Sequence, residues 1–151
     1  MSRFLLALLL LLGGEGAALA CSCMMTPTDP AVRAALAREV ARDAIALVEV
    51  ELVAPYDERR GRGEQLRIRR TLAGGARPSF EVERPYTPSS ASCDVEFQRG
   101  RRTILVLYPP RTGARPPAIR YRISSSCSAP MLTNAGFRDA VAAAIRLRRR
   151  F

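Results

Sequence analysis

Val48-Glu49-Val50-Glu51-Leu52 alternates apolar and acidic residues without a break. In an extended chain successive side chains point to opposite faces. Val48, Val50 and Leu52 therefore share one face and Glu49 and Glu51 the other, the signature of a half-buried strand over about Ala44 to Ala54. Further stretches downstream repeat the pattern. From Gln65 to Leu72, Leu66 and Ile68 face in and Arg67 and Arg69 face out, until Gly74-Gly75 breaks the run. From Ser79 to Arg84, Phe80 and Val82 oppose Glu81 and Glu83. Thr103 to Tyr108 is nearly all apolar, and Ala118 to Ser124 turns Ile119, Tyr121 and Ile123 in with Arg120 and Arg122 out. Tyr56 to Gly63, Pro85 to Cys93 and Pro109 to Pro117 carry the Gly, Pro and Ser of connections.

Helices are expected on either side. Thr28 or Asp29 can cap one, with Pro30 at its first position. Val32, Leu36 and Val40 recur every four residues, and the helix should end near Arg42. Another should start at about Asn134 and place Phe137, Val141 and Ile145 on one face. The pattern predicts a mainly β fold: a five-stranded OB-fold β-barrel with an N-terminal and a C-terminal flanking helix. In that strand order the fifth strand lies beside the third. The outward residues Glu49/Glu51, Arg67/Arg69, Glu81/Glu83 and Arg120/Arg122 then alternate in sign from strand to strand, as cross-strand pairing favours.

The first 20 of the 151 residues read as a secretory signal. Arg3 is its charged start, Phe4 to Leu12 its apolar run and Ala18-Leu19-Ala20 its cleavage site. That run is far shorter than the roughly 20 residues of a membrane-spanning helix. Residues 21–151 are expected to form a single domain, secreted to the periplasm or the exterior, with no transmembrane span. Cleavage before Cys21 would give that residue a free α-amino group. Cys21, Cys23, Cys93 and Cys127 all follow the signal, and an even number in an exported chain implies disulfides. A Cys21–Cys23 bridge would close a very small, strained ring. The two neighbours should therefore reach separately to Cys93 and Cys127, each bridge contributing about 4–5 kcal/mol in the chain-entropy picture.

The formal charge is +10, histidine is absent, and all 24 basic residues are arginine. Arg59, Arg60 and Arg62 form one cluster; Arg146 and Arg148 to Arg150 form another. Such clusters attract anionic sugars, lipid or nucleic acid. They equally suit a solvated turn and a helix C-terminus, where cations complement the macrodipole. The second reading is preferred, because no stacking aromatics interleave with the arginines, and no specific nucleic-acid partner is expected. Without histidine there is no Ser-His or Cys-His pair and no zinc site of the usual type. No Gly-rich phosphate loop follows a strand. Glu49 with Glu51, and Glu81 with Glu83, read as solvated strand faces, so no enzymatic activity and no cofactor of its own are expected. A four-cysteine metal site is disfavoured by an oxidising compartment.

Cys21-Ser22-Cys23 at a mature N-terminus resembles the opening of the tissue inhibitors of metalloproteinases. Asp43-Ala44-Ile45-Ala46-Leu47-Val48 looks like that family's approach to its first strand, and Arg67-Ile68-Arg69-Arg70-Thr71-Leu72 like its second. Tyr86-Thr87-Pro88 followed by Ser92-Cys93 is similar to its Tyr-Thr-Pro loop, and Ile123-Ser124-Ser125-Ser126-Cys127-Ser128 to the segment holding the partner of the second cysteine. The likeness covers most of Cys21 to Pro130. It implies a netrin-like OB-fold with Cys21–Cys93 and Cys23–Cys127 bridges. It also implies that the amine and carbonyl of Cys21 chelate a target protease's catalytic zinc. The protease-binding positions fall on Cys21, Ser22, Cys23, Met24, Ser90, Ala91, Ser92 and Cys93, with Ser22 directed into the primary specificity pocket. The family's third disulfide has no counterpart here.

Two functions follow from the resemblance. One is a secreted inhibitor of zinc metalloproteases. The alternative is a non-inhibitory netrin-like binding module, or a lipoprotein of the bacterial cell envelope, using its basic surface. Ala18 at the third position before Cys21 makes a poor lipobox, and acylation would occupy the Cys21 thiol needed by Cys93.

Overall fold

The computed structural model describes residues 26–83, 95–110, 119–125 and 128–149. The expected signal and all four cysteines lie outside them. Helix α1, Pro30–Ala41, starts where expected: the Asp29 carboxylate accepts from the backbone N–H of Ala31 at 2.7 Å and of Val32 at 3.3 Å. These are two of the donors a helix start leaves without partners. Five strands follow, β1 (Ala46–Ala54), β2 (Gln65–Gly74), β3 (Ser79–Val82), β4 (Arg102–Tyr108) and β5 (Arg120–Ile123). A short helix α2, Ser128–Thr133, and a longer α3, Ala135–Arg148, close the described chain. Asn134 caps α3, its side-chain oxygen accepting from Phe137 N–H at 3.1 Å.

The strands form a closed barrel in the order β1-β2-β3-β5-β4. All neighbours are antiparallel except β3 and β5, which run parallel through Glu81↔Arg120 and Val82↔Tyr121. This is the arrangement expected of an OB-fold barrel. The period-two reading also gave the facing. Val48, Val50, Leu66, Phe80 and Val82 fill the interior with Leu105 and Leu107, and Tyr121 meets Phe80 edge-on at 5.2 Å between ring centres. Glu51 on β1 is 2.7 Å from Arg69 and 3.9 Å from Arg67 on β2, so the outward charges pair across strands. Arg102 on β4 adds a contact to Glu49 at 3.7 Å.

A second core lies outside the barrel. Leu47 and Val106 turn outward from β1 and β4 to meet Ala37, Ala41, Leu132, Phe137, Val141 and Ile145 of the helices. That explains β4: both of its faces are buried, so its sequence cannot alternate. It also corrects the expected stripe of α1. Leu36 and Val40 pack at the edge of this core, but its centre is Ala37 and Ala41, and Val32 is 51 % exposed. The small methyls let α1 lie close against α3, so the contact face runs along the alanines.

Other departures are local. β2 continues past Leu72 to Gly74, whose φ of +77° suits glycine and whose place would set a Cβ 2.2 Å from the Ile45 carbonyl oxygen. Ile119 was expected inside but is 42 % exposed: it precedes β5, and only its carbonyl joins the barrel, accepting from Glu81 N–H at 2.9 Å. Glu81 was expected in solvent but is 4 % exposed, because the chain at Gly63-Glu64 covers it.

Tyr108 links the barrel to α1, its hydroxyl donating to the Val40 carbonyl at 2.9 Å. Burial raises its pKa, against a smaller lowering by Arg122. A raised pKa favours the neutral phenol in the folded state. The contribution is therefore complete below the unfolded value near 10 and lost as pH climbs through the folded value. Tyr108→Phe should cost about 0.5–1.5 kcal/mol at neutral pH and flatten the fall in stability above about pH 10, as read by urea unfolding across pH.

Candidate functional site

Cys21, Ser22, Cys23, Met24, Ser90, Ala91, Ser92, Cys93 and Cys127 all lie outside the described residues. What the structure gives is where the chain stands on either side of them. After Met25, Arg33 holds the lead-in to α1: its Nε donates to the Pro27 carbonyl at 3.2 Å and its Nη2 to that of Thr28 at 2.9 Å. The same guanidinium rests on the first turn of α3, where a Cβ on Gly136 would lie 3.0 Å from Nη1. Gly136 thus leaves room for the group that ties Pro27-Thr28 to the α2–α3 corner. Two residues after Cys93, Val95 is buried against the barrel interior, and Ala129, two after Cys127, packs on the same cluster. Val95 and Ala129 also border one hollow of about 530 Å³. Val95 and Ala129 thus border one hollow, while Pro27-Thr28 is tied through Arg33 to the first turn of α3.

The arginine clusters have different surroundings. Arg146 donates to the Leu72 carbonyl at 2.7 Å and Arg149 to that of Ile45 at 3.0 Å. Arg148 donates to the carbonyls of Arg42 and Ala44. Arg148 and Arg149 close the backbone where α1 passes into β1, and Arg146 ties α3 to β2, structural roles that neither sequence reading supplied. Arg150 lies outside the described residues. Arg59, Arg60 and Arg62 are exposed around a hollow of about 510 Å³ in the β1–β2 connection, with Asp57 3.6 Å from Arg60.

The seam where the barrel closes was missed in the sequence as a unit. Glu81 Oε1 accepts from Gly63 N–H at 3.0 Å and lies 2.8 Å from Arg120 Nη2, while Oε2 accepts from Gln65 Nε2 at 3.3 Å. A Cβ on Gly63 would stand 2.0 Å from the Val82 carbonyl oxygen, so only glycine permits this approach. Strand alternation placed Glu81 and Arg120 on one face, but nothing local showed the covering segment.

A scan against protein-family models, a search of curated proteins and a search of solved structures each find no match to this chain. Among the described residues no helix is long and apolar enough to cross a membrane.

Proposed function

We propose that the protein is a secreted inhibitor of zinc metalloproteases of the kind its N-terminal cysteine pattern resembles. The observation that carries this beyond the pattern is that Val95 and Ala129, each two residues past a cysteine, border one hollow on an OB-fold barrel, with Pro27-Thr28 tied through Arg33 to the start of α3. A bridge from Cys21 to Cys93 and one from Cys23 to Cys127 would join the chain before α1 to the segments that lead into Val95 and Ala129.

A catalytic zinc in a protease holds three protein ligands and an exchangeable water. The amine nitrogen and carbonyl oxygen of an N-terminal Cys21 are separated by two carbons. Both can bind one metal in a five-membered chelate and displace that water. The Cys21 sulfur is committed to Cys93. The two bridges make Cys21 to Met24 a rigid ridge, which lowers the ordering cost of association. Ser22 is small enough to enter most pockets beside the zinc and to select few. Met24 and Ser90 to Ser92 would touch the protease alongside.

Only a neutral amine binds metal, and an unperturbed α-amino group titrates at about 7.7–8.0. Below that range inhibition should weaken about tenfold per pH unit. The test is an inhibition titration of a zinc metalloprotease panel across pH, corrected for each protease's own profile, with a non-reducing peptide map of the same protein. A flat profile, or Cys21 joined to Cys127, contradicts the mechanism. Lipid on Cys21 in the intact mass would instead favour a netrin-like module or lipoprotein of the cell envelope.

A further inference from the structure

Helix α3 crosses the outer face of the barrel without covering all of it. Between the helix and the sheet lies a hollow of about 470 Å³, floored by Leu72, Ile104 and Ala142. The hollow beside Val95 and Ala129, about 530 Å³, shares Glu49, Ile104 and Arg138 with it. The two adjoin at these residues, along α3 and past α2, and are taken together as one groove. Arginines dominate its rim: Arg70 from β2, Arg138 and Arg146 from α3, and Arg101 and Arg102 at the start of β4. Among the described residues three carboxylates oppose these five, those of Glu49, Glu96 and Asp139. Glu49 lies 3.7 Å from Arg102 and Asp139 3.9 Å from Arg138. Arg70 is exposed and carries no ion pair among the described residues.

We infer that this groove is a docking site for an acidic, extended peptide segment of a partner protein. Charge complementarity selects an anionic occupant, and the chain's own +10 charge opposes a second copy of itself. The floor selects between anions. Leu72, Ile104 and Ala142 offer apolar surface to side chains that alternate with carboxylates. Among the described residues no aromatic ring borders either hollow, so they give bases and sugar rings no stacking platform. A peptide whose residues alternate between acidic and apolar places carboxylates on the arginine rim and side chains on the floor. The inference is independent of zinc chelation by Cys21, and its test does not read protease inhibition.

The probe is a short fluorescein-labelled peptide of alternating glutamate and leucine, titrated by anisotropy against the processed protein. Arg70→Glu with Arg138→Gln should weaken binding about tenfold. Arg59→Glu with Arg62→Gln makes the same change in net charge on the β1–β2 connection and should change binding less than about twofold. Added salt should weaken the wild-type interaction. Thermal melts confirm that the variants fold; if the first pair does not, Arg70→Gln with Arg101→Glu serves in its place with the same expectation. Absence of wild-type binding, equal weakening by the two pairs, or no weakening by the groove pair overturns the inference. So does a heparin-derived oligosaccharide that binds more tightly than the peptide and loses affinity on the groove substitutions, since the groove would then belong to a glycan.

Discussion

Phe137→Ala should lower the free energy of unfolding by about 3–5 kcal/mol and the melting temperature by roughly 10–15 °C. Phe137 is fully buried, and its ring lies in the core that holds α1, α2 and α3 to the outer face of β1 and β4. Removing it takes a large apolar surface from the cluster that joins the helices to the outer face of the barrel and leaves a cavity that the surrounding residues can close only in part. Its backbone N–H bonds Asn134, so the cap survives and the loss reports on packing alone. Val32→Ala is the matched control. Val32 shares the expected stripe with Leu36 and Val40 but is exposed, and its truncation should stay within about 0.5 kcal/mol. Denaturant unfolding of both variants checks the pair. A loss at Val32 comparable to that at Phe137 would mean that α1 packs through the stripe and not through Ala37 and Ala41.

Glu81→Ala should cost about 3 kcal/mol, although a carboxylate on a strand face ordinarily contributes little. Its removal strands the Gly63 N–H and leaves the Arg120 guanidinium without its anion in the wall of the barrel. Arg120 Nε is already buried without a hydrogen-bond partner, so the ion pair with Glu81 is what compensates that group. Breaking a buried pair from one side costs about 3–5 kcal/mol. The Arg120 side chain is 33 % exposed, which places the effect at the lower end. Glu81→Gln keeps an acceptor for Gly63 and should fall between. Glu51→Ala, on the same outer surface with exposed partners Arg67 and Arg69, should cost no more than about 1 kcal/mol. Hydrogen exchange adds a local reading: the Gly63 amide should lose protection in Glu81→Ala well before the amides of β1. Equal costs at Glu81 and Glu51 would show that the seam is held by backbone pairing alone.

Most of the barrel was legible because its strands obey a local rule. Alternation assigned the facing of β1 and β2 and of Phe80, Val82, Tyr121 and Ile123, and the alternating charges anticipated which strands touch. Asp29 and Asn134 announced their helices through hydrogen bonds within one turn. What sequence could not show depends on residues far apart in the chain. Ala37 and Ala41 became a contact face because α3 lies against them, whereas a periodicity weighted toward large side chains favoured Val32. Glu81 lost its solvent to Gly63-Glu64, which precedes it by a whole strand and turn. Helix α2, with only six residues and a proline among them, has no periodicity to detect. The arginine-rimmed groove exists only where α3 stands off the sheet. For the candidate inhibitory site the balance is reversed: the cysteines and their neighbours are legible as a pattern, while the structure describes only the chain beside them.

The proposed inhibition turns on one amine. A form of the protein with a single alanine added before Cys21 leaves the proposed disulfides and every core residue in place but would move the proposed free amine one residue from the Cys21 carbonyl. The chelate then cannot form at Cys21, although the fold should melt as before. The deciding measurement is inhibition of a panel of zinc metalloproteases by the correctly processed protein and by the alanine-extended form. Zinc chelation by Cys21 predicts inhibition of at least one protease by the first and its loss in the second. Equal potency of the two forms would contradict zinc chelation by Cys21, and no inhibition by either would contradict the proposed function itself.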